Sequence, residues 1–134
     1  MDANILDTKI SELKLSEIKS LDIKMNIHGA LLVMQRDNIG SVAITDKGLM
    51  VGILTERDIV MKVAGISDDY KKTLVSEIMT PSPSCVLLDD EVGKVISLLV
   101  DGGFRHVPII DSGNRPISMI SVKDVMKFVK EKCL

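Results

Sequence analysis

Gly52-Ile53-Leu54-Thr55-Glu56-Arg57-Asp58 returns in degenerate form as Ser118-Met119-Ile120-Ser121-Val122-Lys123-Asp124. In both stretches an apolar run ends in a hydroxyl residue, and an acidic residue follows three positions later. Such a run reads as a strand turning into a helix. Outward from this pair, Ile10-Ser11-Glu12-Leu13 falls over Val75-Ser76-Glu77-Ile78 at an offset of 65 residues. The same offset carries Ile27 to Val92, Ala30 to Val95, Leu31 to Ile96, Met34 to Leu99, Val42 to Val107, Ile44 to Ile109, Asp46 to Asp111 and Gly48 to Gly113. One extra residue around Asn114 raises the offset to 66, which takes Thr55 to Ser121 and Asp58 to Asp124. So many apolar and turn positions in register mark an internal duplication.

Each copy has the same local grammar. Ile27, Ala30, Leu31 and Met34 sit at helical spacing, as do Val92, Val95, Ile96 and Leu99. Asp90 and Glu91 favour a helix start, and Gly102-Gly103 a stop. Val42-Ala43-Ile44 and Val107-Pro108-Ile109-Ile110 read as short buried strands, followed by the turn residues Thr45-Asp46-Lys47-Gly48 and Asp111-Ser112-Gly113-Asn114. Second strands, Met50 to Leu54 and Pro116 to Ile120, lead into final helices with Ile59, Val60 and Val63 on one face, matching Val125, Met126 and Val129. The fold class expected is therefore α/β (α+β), with two β-α-β-β-α repeats related by a pseudo-two-fold axis and packed as one compact module. The boundaries are an N-terminal tail at 1–9, a first repeat at 10–66, a linker at 67–72 and a second repeat at 73–134. Neither repeat is long enough to bury its sheet and helix faces comfortably alone.

Composition removes several function classes. The 134 residues are 46% hydrophobic, enough for a core. With 17 basic and 19 acidic residues the net charge is −2, which denies nucleic acid its usual basic footprint. Tyr70, Phe104 and Phe128 are the only aromatics, too few for a base-stacking platform. Cys85 and Cys133 have neither metal-ligand nor redox spacing and read as reduced thiols. The polar, acidic start from Met1 to Lys9 does not resemble a signal peptide, and no apolar run approaches a membrane span. The expectation is a cytoplasmic protein with no nucleic-acid or membrane partner and no metal.

Two readings of the repeated corner stand side by side. Thr55-x-x-Asp58 and Ser121-x-x-Asp124 are helix capping boxes. The same geometry also suits a nucleotide. A helix N-terminus offers unpaired amides to a phosphate, and an aspartate can accept from both vicinal hydroxyls of a ribose. Gly52 could relieve a crowded strand or let a flat base approach the backbone. The corner alone leaves the choice open.

The 52–58 corner, the strand Arg105-His106-Val107-Pro108-Ile109-Ile110-Asp111 and the lead-in Val75-Ser76-Glu77-Ile78-Met79-Thr80 resemble the CBS domain family. The resemblance runs from residue 10 to residue 131 as a tandem pair, the Bateman module, and the expectation is a stand-alone pair with no catalytic domain. It implies regulatory binding of AMP, ADP or ATP, with S-adenosylmethionine as a further adenosyl ligand, in clefts that borrow from both repeats. Carried onto this sequence, the first cleft uses Thr55, Arg57 and Asp58 with Ser82, Pro83, Ser84, Phe104, Arg105 and His106. Asp58 takes the ribose hydroxyls; Thr55, Arg57, Arg105 and His106 face the phosphates; backbone near Ser84 reads the adenine edge. The second and weaker cleft pairs Ser121, Lys123 and Asp124 with Glu17, Ile18, Lys19, Gly40 and Ser41. There Ser118 replaces the strand glycine, Gly40-Ser41 replaces Arg105-His106 and Ala43 replaces Pro108, so the paired cations are missing.

His106 has no nucleophile or second base at a telling spacing, so no enzymatic role is expected. His28 reads as a solvated helix residue. Met34, Met119 and Met126 read as core filler. Leu32, Val33 and Leu98 lie off the main apolar stripes. In the family such helices meet a second module, which implies a homodimer through helices of both repeats, and a regulated protein partner is expected to sense the ligand. The rival reading is a ligand-free adaptor with the same fold, its corners serving only as caps.

Overall fold

The computed structural model describes residues 4–63 and 71–133. Residues 67–70 of the expected linker, Tyr70 among them, lie outside the described residues, as does the side chain of Val63. The elements run β1 (Ser20–Asp22), α1 (Ile27–Asp37), β2 (Ser41–Asp46), β3 (Leu49–Thr55), α2 (Glu56–Val63), β4 (Thr80–Pro81), β5 (Val86–Leu87), α3 (Val92–Asp101), β6 (His106–Ile110), β7 (Pro116–Ser121) and α4 (Val122–Cys133). This is the expected strand-helix-strand-strand-helix order, twice, in a mixed α+β fold. The short strand β4 is an addition.

Local chemistry accounts for the boundaries. Asn26 caps α1 by accepting the Gly29 N–H at 2.7 Å, and Asn38 closes it in the left-handed conformation at φ 52°. The β2–β3 hairpin turns on Lys47 and Gly48, at φ 53° and 83°, the pair of positive angles a two-residue hairpin requires. The β6–β7 turn holds the extra residue. Asp111 Oδ1 accepts the Gly113 and Arg115 N–H groups there, each at 2.9 Å, while Asn114 sits at φ 63°. Both hairpins carry a register shift at equivalent positions, between Ile44 and Thr45 and between Ile109 and Ile110. The duplication thus extends to a bulge that no residue type announces.

Two compact units result, and they do not coincide with the two sequence repeats. One comprises residues 18–83. The other joins the segment ending at Glu17 to the chain from Ser84 onward. In the 18–83 unit, β1 runs parallel to β2, β3 pairs antiparallel with β2, and β4 adds to β3 through Gly52↔Pro81 and Ile53↔Thr80. Its core gathers Ile27, Ala30, Val42, Ile44 and Leu54 with Val75 and Ile78 from the lead-in of the second repeat. In the other unit β5 runs parallel to β6, and β7 pairs antiparallel with it. Ile10, from the lead-in of the first repeat, is buried there with Val86, Val95, Val107, Ile109 and Ile120. Each lead-in has therefore crossed to the other repeat's sheet. Burying one such aliphatic side chain is worth about 1.5–3 kcal/mol, so the exchange holds each unit together.

The final helices differ in part from expectation. Ile59 and Val125 are buried, but Val60 is 68% and Met126 is 67% exposed. Consecutive helical residues are turned by about 100°, so a helix lying on a sheet buries one of them and releases the next. Met34 is core, Met119 half-buried, and Met126 a surface residue rather than filler. Leu32 is exposed, while Val33 and Leu98 pack partly against the cores of their own units. His28 is half-buried on α1 rather than solvated.

Candidate functional site

At the first corner β3 ends on Thr55 and α2 begins on Glu56. The Thr55 N–H and its hydroxyl both donate to Asp58 Oδ2 at 3.1 Å, and the Asp58 N–H donates to Thr55 Oγ1 at 3.1 Å. The capping box is closed in both directions. Oδ2 is already committed, so the two carboxylate oxygens are not equally available to a ribose. The other oxygen, Oδ1, lies 3.6 Å from the Lys62 ammonium, which also donates to the Ile78 carbonyl at 2.8 Å. The second corner repeats the box. Ser121 donates to Asp124 Oδ2 through N–H at 2.8 Å and hydroxyl at 2.9 Å, and the Asp124 N–H returns to Ser121 Oγ at 3.3 Å. Where the first corner has Lys62, the second has Phe128, buried in its core.

Gly52 answers to crowding. A Cβ there would run into the Met79 thioether, which lies over the strand where a base was expected to approach. Ser118, its counterpart, is buried and spends its hydroxyl on the Ser16 carbonyl at 2.5 Å, beside a bridge between Glu17 and Ser118. The side chain that replaces glycine is thus satisfied rather than intrusive. Sequence reading missed Met79 and Lys62. The spacing of Asp58 and Lys62 (i, i+4) was the available signal for the cation, whereas nothing local points Met79 at Gly52.

The residues expected in the first cleft are divided between the units. Thr55, Arg57, Asp58, Ser82 and Pro83 belong to the 18–83 unit, and Ser84, Phe104, Arg105 and His106 to the other. Arg57 and Arg105 are exposed and His106 is half-buried at the start of β6. Ser82 holds a left-handed φ of 45° and donates its N–H to the Val51 carbonyl at 3.0 Å; Pro83 is half-buried and Ser84 exposed. Phe104 is exposed, its ring against Gly102. The second set divides likewise, with Glu17, Ser121, Lys123 and Asp124 apart from Ile18, Lys19, Gly40 and Ser41. Within each unit the corner is flanked by its own neighbouring strand, Ser41 opposite Thr55 and His106 opposite Ser121. A Cβ at Gly40 would run into the Glu56 carboxylate, and the Gly40 carbonyl accepts the Glu56 N–H at 2.9 Å. Lys19 stands 3.9 Å from Asp37, whose carboxyl is held below the usual range chiefly by its hydrogen bond from Arg36.

A groove of about 290 Å³ opens elsewhere, between α1 and α2, lined by Leu31, Met34, Gln35, Asn38, Ile39, Glu56, Ile59 and Val60. Cys85 is half-buried and Cys133 exposed, and burial pushes the Cys85 thiol up. Among the described residues no group of three or more His, Cys, Asp or Glu side chains is placed to hold a metal ion. Among them, too, no helix is long and apolar enough to cross a membrane.

The family model of the CBS domain matches this chain twice, over residues 10–65 and 75–131. An uncharacterized protein of Methanopyrus kandleri is 34% identical over 95 residues, 70% of this chain and 48% of that one, so the chain spans about half of that relative. Among solved structures, a CBS-domain containing protein from Agrobacterium tumefaciens superimposes with a TM-score of 0.79 at 29% identity, covering 90% of this chain and 98% of the other. A CBS domain pair solved in complex with 5′-methylthioadenosine and S-adenosyl-L-methionine also gives 0.79, at 24% identity, covering 93% and 98%. That last likeness speaks for the fold.

Proposed function

Because the chain belongs to the CBS domain family, as a tandem pair of repeats, we propose that it is a regulatory module that binds an adenosyl ligand. AMP, ADP or ATP is the ligand class, with S-adenosylmethionine as the alternative. The observation that carries this reading is the state of Asp58. It is half-buried at a helix N-terminus and fixed through Oδ2 by Thr55, while Oδ1 lies 3.6 Å from the Lys62 ammonium and, in this reading, accepts from a ribose diol. In this reading Arg57, Arg105 and His106 serve the phosphates, and Ser82, Pro83, Ser84 and Phe104 the base side. The second corner keeps its aspartate but lacks the paired cations, and takes a weakly charged adenosine-like ligand or none. A partner protein or a second copy of the module senses the bound state through its differential affinity for it. The protein acts without a reaction of its own, in the cytoplasm.

The closed capping boxes favour one rival, an adaptor whose corners only stabilise helices. Asp58→Ala separates the readings poorly, because it removes the cap in either case. Asp58→Asn keeps an acceptor for Thr55 and replaces one oxygen by a donor, so it spares the cap and spoils the diol contact. Isothermal titration of nucleotide-free protein with AMP, ATP and S-adenosylmethionine should give saturable binding that Asp58→Asn abolishes. Flat heats for all three from folded protein would sink the ligand reading and leave the adaptor.

A further inference from the structure

Asp58 can meet a ribose diol through Oδ1 alone, since Oδ2 already accepts the Thr55 N–H and hydroxyl. What stands beside Oδ1 therefore decides how well that oxygen is aimed. Lys62, one helical turn further on, holds its ammonium 3.6 Å from Oδ1 and donates at 2.8 Å to the Ile78 carbonyl. The Asp58 side chain is 15% exposed and the Lys62 side chain 46%, so the pair is buried on the carboxylate side and solvated on the cation side. The residue after Ile78 is Met79, whose thioether covers Gly52. One cation thus ties the carboxylate on α2 to the peptide that places the thioether over β3. Among the described residues the other corner shows no such tie, and Phe128 occupies the equivalent position.

We propose that Lys62 is a positioning residue of the ligand corner. It aims Asp58 Oδ1 at the vicinal hydroxyls of a ribose and, through the Ile78 carbonyl, keeps Met79 in place over Gly52. The inference rests on the adenosyl reading above. A carboxylate pinned through one oxygen still rocks about its terminal torsion, and an ordered cation beside the other oxygen removes that freedom before the ligand arrives. Only a ligand that uses Oδ1 gains from this. Lys62 therefore governs discrimination for the diol rather than overall affinity.

The test measures dissociation constants for AMP and for 2′,3′-dideoxy-AMP by titration calorimetry on the full chain, in wild type, Lys62→Met, Lys62→Gln and Lys62→Arg. Wild type should prefer AMP. Lys62→Met should shrink that preference about tenfold, the size of one charge-assisted contact, and Lys62→Arg should restore it. Lys62→Gln keeps a donor for the Ile78 carbonyl without the charge, and should shrink the preference in a protein whose unfolding midpoint stays near wild type. A purely structural lysine would weaken both ligands alike. An unchanged or larger AMP preference in Lys62→Met and Lys62→Gln, with AMP bound by wild type, overturns this inference alone. Failure of wild type to bind AMP overturns the inference as drawn, and flat heats with ATP and S-adenosylmethionine as well overturn the ligand reading with it.

Discussion

Gly52 and Gly40 show how one residue type answers to different neighbours. A methyl group at Gly52 would meet the half-buried Met79 thioether, so Gly52→Ala must displace a side chain packed against the core. We expect it to cost about 1–3 kcal/mol, as overpacking does. At Gly40 the obstacle is the end of the exposed Glu56 side chain, which swings into solvent, so Gly40→Ala should stay within about 0.5 kcal/mol. Urea unfolding of the two variants checks the contrast, and equal losses would refute it. The sequence announced a small residue at position 52 but not its reason. Met79 is 27 positions away, and only the pairing of β4 with β3 brings it over the strand.

The start of α3 shows an element whose boundary was legible and whose capping was not. Glu91 stands at the cap position yet makes no side-chain cap bond. Instead the Val92 N–H donates at 2.8 Å to the Thr8 carbonyl, supplied by the N-terminal segment. Asp90 accepts the Leu87 N–H at 2.7 Å and faces the Lys94 ammonium at 3.2 Å. Its carboxyl is held below the usual range, first by the Leu87 N–H and then by Lys94. A carboxyl depressed on folding contributes stability above its unfolded pKa of about 4, and that contribution is lost as pH falls through the folded value. Asp90→Asn should therefore be less stable than wild type at pH 7, and the gap should narrow below about pH 4. Unfolding midpoints measured from pH 3 to pH 7 test this, and a gap that widens in acid would contradict it. Hydrophobic period placed α1 to α4 correctly, because each lies on a sheet and shows it one apolar stripe. It could not tell that Val60 and Met126 face outward, since a neighbour on the helical wheel is not yet a contact.

For the whole molecule, the unit of sequence and the unit of packing differ. Val75 and Ile78 complete the core of the 18–83 unit, so a fragment of residues 18–83 should fold better than one of residues 10–66. The second fragment exposes the surface those two side chains cover and loses β4. Amide-proton dispersion and circular dichroism of both fragments decide the point, and a better-ordered 10–66 would refute the exchange. The sequence by itself determined the duplication, the order of strands and helices, the hairpin turns and the capping geometry of both corners. These depend on contacts a few residues apart, which periodicity and spacing record. Only the tertiary structure decided which lead-in completes which sheet, that the Met79 thioether covers Gly52, and that Lys62 reaches the Ile78 carbonyl as well as Asp58. Those facts join positions far apart in the chain, and side-chain burial, which selects among such pairings, leaves no periodic trace in either partner alone.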